Sequence, residues 1–164
     1  MNYNIINACK YDLEFILDLN QKFTPAVSDS SNDMMLYFLN ISKYFKVLKV
    51  DRRPVGFLIA LMPGYDYQSQ NYRWFNKRYE SFTYIDRVVI SKDYQSQGYG
   101  KLFYDDLCSH SKEDSDYIAC EVNTRPLNQQ SIKFHEKYGF YEVGVQETEG
   151  GEKCVSLMIH EIKN

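Results

Sequence analysis

Apolar and polar residues recur along this chain with two periods, one near two residues and one near 3.6. The run 3–6 reads as a strand, and Leu13, Ile16, Leu17 and Asn20 then fall on one helical face, with Asp12 placed to cap it. A second helix is predicted over 32–40, with Met34, Met35, Phe38 and Leu39 on its apolar face. Apolar runs at 45–50 and 55–61 flank Asp51-Arg52-Arg53-Pro54 and predict a hairpin. The runs 84–90 and 117–122 predict strands, and each leads into a helical stretch, 102–107 and 129–138. Strands near 141–145 and 155–162 close the order β-α-α-β-β-β-α-β-α-β-β. No repeat, linker or low-complexity tract interrupts it, and a single domain over 1–164 is the expectation at this length.

Between the strand at 84–90 and the helix that follows lies Gln95-Ser96-Gln97-Gly98-Tyr99-Gly100-Lys101. A helix N-terminus carries unpaired N–H groups and a partial positive charge, so a loop entering one is suited to an anion. Gly98 and Gly100 lack a Cβ and let a phosphate approach the backbone. Spacing excludes the P-loop: Gly98 stands two residues before Gly100, position 95 is Gln, and Leu102 follows Lys101. The dinucleotide fingerprint fails as well, because its third glycine would fall at Phe103.

The stretch resembles the (Gln/Arg)-x-x-Gly-x-(Gly/Ala) signature of the GCN5-related N-acetyltransferase (GNAT) superfamily. The segment 128–140, Asn-Gln-Gln-Ser-Ile-Lys-Phe-His-Glu-Lys-Tyr-Gly-Phe, is similar to the later motif of that superfamily, with one departure. Where the family usually has tyrosine, His135 stands here. The element order is the family's order too, so the resemblance covers nearly the whole chain.

The resemblance implies a mixed α/β fold: a twisted mixed sheet with splayed central strands flanked by helices. It implies acetyl-coenzyme A as cofactor, its pyrophosphate on Gln95, Ser96, Gln97, Gly98, Tyr99, Gly100 and Lys101. The pantetheine arm would pair with strand backbone at Val88, Val89 and Ile90, and Asn128 and Phe134 would complete the cofactor site. Acetyl transfer to an amine needs a neutral nitrogen, because an alkyl amine has a pKa near ~10.4. It also needs an N–H donor for the developing oxyanion, which backbone near Val88 and Val89 could supply. The candidate bases are Asp86, which shares strand parity with Val88 and Ile90, and Glu121 in the partner strand, with a water relay or no protein base as the remaining routes. His135 is open to three readings: imidazolium acid to the leaving thiol, neutral imidazole holding the sulfur, or inert filler.

The segment 63–80 is long for a connection between neighbouring strands and carries Tyr65, Tyr67, Tyr72, Trp74, Phe75 and Tyr79. So many aromatics need cover. Lining an acceptor site with Tyr72, Trp74 and Phe75, forming a homodimer contact, and packing on the chain's own sheet are the three outcomes open to it.

A net charge of −3 and a pI near 5.6 argue against a nucleic-acid partner. No apolar run approaches the ~20 residues of a membrane span, and the N-terminus has no signal-peptide layout. Cys9, Cys108, Cys120 and Cys154 are scattered, which fits reduced thiols in the cytoplasm and gives no metal-ligand spacing. The expected function is N-acetylation of a primary amine on a small molecule or peptide by direct attack. A non-catalytic acyl-coenzyme A-binding module and a protein-interaction domain are the alternatives.

Overall fold

The computed structural model describes residues 2–162. Its elements are β1 (Tyr3–Asn7), α1 (Leu13–Lys22), α2 (Asn32–Ile41), β2 (Tyr44–Val50), β3 (Arg53–Leu61), α3 (Gln70–Arg78) and β4 (Phe82–Ile90). They continue with α4 (Tyr99–Ser111), β5 (Tyr117–Arg125), α5 (Gln129–Tyr138), β6 (Tyr141–Thr148) and β7 (Lys153–Glu161). The strands form a seven-stranded mixed sheet in the order β1-β2-β3-β4-β5-β7-β6. The predicted order holds with one addition, the helix α3 in the aromatic segment.

Two compact units divide the chain. The first comprises Met1–Leu61 and Ile85–Leu107. In it β1 pairs antiparallel with β2, and β2 with β3, across a turn at Asp51 and Arg52. Both turn residues have positive φ, 48° and 70°, the geometry whose twist suits a two-residue hairpin. Pro54 therefore lies inside β3, opposite Lys49 and beside a register shift, rather than in the turn. Helix α1 buries Leu13, Ile16, Leu19 and Asn20, and Leu17 is only half-buried. Helix α2 buries Met35 and Phe38, whereas Met34 is 38% exposed. At about a hundred degrees per residue Phe38 falls between Met34 and Met35, and of the two it is Met35 that the fold buries with it.

The second unit comprises Met62–Tyr84 and Cys108–Asn164. Here the first three residues of β4 run parallel to β5, with Phe82, Thr83 and Tyr84 opposite Tyr117, Ile118 and Ala119. β5 and β6 both pair antiparallel with β7. Ser69 caps α3 by accepting from Tyr72 N–H at 3.2 Å, and the helix buries Tyr72 and Phe75 one turn apart. Asn128 caps α5 through Ser131 N–H at 3.1 Å. That helix ends at Gly139, whose φ of 115° is the left-handed closure glycine favours.

Candidate functional site

After β4, Ser91 N–H donates to Val55 O at 2.7 Å and a short 3-10 turn at Lys92–Tyr94 redirects the chain. Two side-chain amides then brace the loop on itself. Gln95 Nε2 donates to Ile90 O at 2.9 Å, and Gln97 Nε2 donates to Asp93 O at 2.8 Å. Ser96 and Gly98 both have positive φ, 60° and 89°, which bends the backbone before α4 begins at Tyr99. Leu102 N–H makes the first helical bond, to Gly98 O at 3.1 Å. Ahead of it, the first turn of α4 has no carbonyl within the helix for its N–H groups to meet. A Cβ built on Gly98 meets nothing within 4 Å, so this bend is open on the side a side chain would fill. Lys101 pairs with Asp105 at 2.6 Å along the exposed helix face, and the Tyr99 ring is buried beside Tyr94.

Asp106 anchors the helix. Its Oδ2 accepts from Tyr44 Oη at 2.7 Å and from Lys46 Nζ at 2.9 Å, both on β2. Burial, and then the Asp106 hydrogen bond and charge, push the Tyr44 hydroxyl far above its ordinary range. Lys46 is itself buried and leans on the Tyr44 ring, its Nζ 5.0 Å from the centroid.

On β4, Asp86 and Arg87 form a 2.7 Å ion pair whose side chains are 4% and 5% exposed. Arg87 Nη1 also donates to Asn20 Oδ1 at 2.9 Å and Ser28 O at 3.1 Å, and its guanidinium lies over Phe38. This buried charge is satisfied from α1 and the segment after it, as a buried cation requires. Val88 and Ile90 are half-buried, and Val89 is buried. A cavity of about 600 Å³ lies between α1 and the stretch after β4, lined among others by Phe15, Leu19, Phe23, Lys92 and Gln95.

In the second unit, Glu121 Oε2 accepts from Tyr84 Oη at 2.7 Å. Tyr84 is wholly buried, and Glu121 is half-buried. The motifs and the strand parity used above do not single out Tyr84. The usable signal is its place in an apolar run, since a buried tyrosine hydroxyl must find a partner. Tyr72 and Phe75 also have no exposure, so they are core residues and present no surface to an acceptor. The Tyr72 hydroxyl donates to Met62 O at 2.7 Å and accepts from Tyr65 N–H at 3.0 Å. Trp74 is half-buried.

His135 lies on α5, 5% exposed, between the rings of Phe134 at 5.2 Å and Phe140 at 5.1 Å. Its Nδ1 lies 2.7 Å from Ser131 O, which fixes that nitrogen as the donor. Burial lowers its pKa below the ordinary value, and the bond to Ser131 opposes that shift without cancelling it. A neutral imidazole is the resting form. Phe134 is half-buried, and Asn128 spends its Oδ1 on the helix cap. His160 meets Tyr138 edge-on and Phe140 at a tilt, as a packing residue. Burial, and then the Glu121 charge, push the Cys120 thiol up. Among the described residues no three His, Cys, Asp or Glu side chains gather as a metal site. Among the same residues no helix is long and apolar enough to cross a membrane.

The sequence matches the family model "Acetyltransferase (GNAT) family" over residues 13–140. No curated protein matches it. Among solved structures, Ard1 from Thermoplasma volcanium is similar with a TM-score of 0.79 at 17% identity, covering 100% of each chain. The ribosomal-protein-S18-alanine N-acetyltransferase from Escherichia coli is similar at TM-score 0.73 and 17% identity, covering 99% of this chain and 96% of that one. An acetyltransferase of the GNAT family from Streptococcus pneumoniae gives TM-score 0.72 at 22% identity, covering 99% and 100%.

Proposed function

The chain belongs to the acetyltransferase (GNAT) family, and on that premise we propose that it moves an acetyl group from acetyl-coenzyme A to a primary amine of a small molecule or peptide by direct attack. The observation that carries the reading is the open bend at Gly98. It has a positive φ, room where a Cβ would stand, and the first turn of α4 directly after it. These are the features a pyrophosphate needs.

Acetyl-coenzyme A, when bound, supplies a thioester carbonyl activated for attack and a thiolate leaving group. Backbone N–H groups of the 96–101 stretch would hold its phosphates. Gln95 and Gln97 would act indirectly, since their amides keep the loop in shape. Val88, Val89 and Ile90 would offer backbone to the pantetheine arm. The family resemblance also assigns Asn128, the cap of α5, and the half-buried Phe134 to the cofactor.

Of the two carboxylates, Glu121 is the better base. Asp86 is nine-tenths buried and spends an oxygen on Arg87, whereas Glu121 is half-buried and receives a neutral hydroxyl. Glu121 would take the proton of the attacking amine, directly or through water. His135 would serve as a neutral hydrogen-bonding group, because burial disfavours its charged form. Trp74 keeps enough surface to touch an acceptor.

Thiol release from acetyl-coenzyme A, measured against a panel of amines that includes short peptides with free N-termini, tests this reading. Release that depends on an amine and falls about a hundredfold or more in Glu121→Gln is expected. Cofactor binding with no release on any amine would favour the non-catalytic alternative.

A further inference from the structure

Apart from Trp74, helix α3 and the buried aromatic cluster it carries have no part in the function described so far. Within its unit α3 sends two fully buried rings onto one residue: Tyr72 meets Tyr84 edge-on at 5.4 Å between centroids, and Phe75 meets it at 5.9 Å. Phe82 closes the cluster at 6.4 Å from Tyr72 and 6.1 Å from Phe75. The Tyr72 hydroxyl, bonded to Met62 O and Tyr65 N–H, ties the head of α3 to the chain just after β3. Tyr84 is thus gripped by its ring, and its single polar atom points at Glu121, 2.7 Å away. It also occupies the last position at which β4 is in register with β5, opposite Ala119 and two residues before Glu121.

We propose that α3 is a buttress for the reaction: by seating the Tyr84 ring it fixes the Tyr84 hydroxyl on Glu121, which makes Tyr84 a positioning residue for the base. This rests on Glu121 being the base. A phenol donating to a carboxylate favours its ionised form and restricts its rotamer, so the base is kept deprotonated and aimed. Three neighbours of Glu121 carry no charge near neutrality. Its register partner on β7 is Leu157, the adjacent Cys120 thiol is held protonated by burial, and on α5, which packs on β5, His135 is held neutral. The aromatic segment then acts on the chemistry through Tyr84, without touching an acceptor through Tyr72 or Phe75.

Carboxyl-carbon NMR of glutamate-labelled protein tests this without a known acceptor, with the Glu121 signal assigned by its loss in Glu121→Gln. In Tyr84→Phe the Glu121 titration is expected to move up by about one pH unit, the effect of losing one hydrogen bond to a charged group. Phe75→Leu keeps the hydroxyl but loosens its seat, and should move the titration the same way by less. Phe75→Met, closer in volume, replaces it if that variant does not fold. An unmoved titration in Tyr84→Phe overturns the proposal. A shift in Tyr84→Phe with none in either Phe75 variant overturns the role of α3. Full thiol release by Glu121→Gln would instead overturn the base assignment and leave the titration result standing.

Discussion

Trp74 lies against Gly144: a Cβ built on that glycine would sit 2.5 Å from Trp74 Cζ2 and 3.0 Å from Cη2. The Arg78 guanidinium lies over the indole, 4.2 Å from the ring centroid, and Phe75 meets it edge-on. Gly144 stands at a register shift of β6, where the strand gives up regular pairing and makes room for the ring.

Gly144→Ala should therefore lower stability by about 1–3 kcal/mol through overpacking. Trp74 is the one tryptophan of the chain, so its fluorescence reports the site directly. A lower denaturant midpoint together with a shifted native emission maximum is the expected result. An unchanged midpoint would mean that the indole moves aside freely.

Gly98 separates backbone strain from ligand exclusion. Alanine there meets no neighbour in the protein itself, so Gly98→Ala should cost about 1–2 kcal/mol for a side chain at positive φ. Gly98→Val should cost more and should abolish coenzyme A binding in protein that is still folded. Isothermal calorimetry beside a denaturant curve checks both, and normal affinity in folded Gly98→Val would refute the loop assignment.

Local spacing made the strand, loop and helix around residues 84–107 legible, together with the later motif on α5. Each is a contiguous run whose chemistry lies in neighbouring residues. Helix α3 was not legible, since its buried face is just Tyr72 and Phe75, with Trp74 half-buried and the other six of its nine residues polar. Two apolar positions do not define a period. Arg87 illustrates a second limit. Adjacency suggests either its ion pair with Asp86, which forms, or a surface charge, yet its further partners Asn20 and Ser28 lie 67 and 59 residues away and make it a core residue. The Tyr84–Glu121 bond likewise depends on a parallel register that spacing along the chain does not encode.

Asp106→Ala should destabilise the first unit by leaving Lys46 buried without its anion. Breaking a fully buried pair costs about 3–5 kcal/mol. Asp106 is 28% exposed at its side chain, which brings the expectation down to about 2 kcal/mol. Asp106→Asn keeps an acceptor for Tyr44 and should cost less than the alanine variant. Denaturant curves on both variants measure the difference, and equal losses would assign Asp106 a packing role alone.

His135 carries a prediction in pH. Burial lowers its folded-state pKa below the unfolded value of about 6.5, so the unfolded chain binds the proton more readily. The stability gained from the neutral imidazole is complete above pH ~6.5 and is lost as pH falls from there through the folded-state value. His135→Phe keeps a ring against Phe134 and Phe140 while removing both the titration and the bond to Ser131 O. Its stability should be lower at pH 8 by about 1 kcal/mol, for that lost bond, and should decline less than the wild type's between about pH 6.5 and 5. The same variant tests the chemistry. An imidazolium acid requires wild-type kcat to fall as pH rises through the histidine's lowered pKa, a limb that His135→Tyr would carry to higher pH. A neutral imidazole holding the sulfur gives no such limb and a modest loss in His135→Phe. Unchanged kcat and cofactor affinity in a folded His135→Phe would leave the residue a packing role alone.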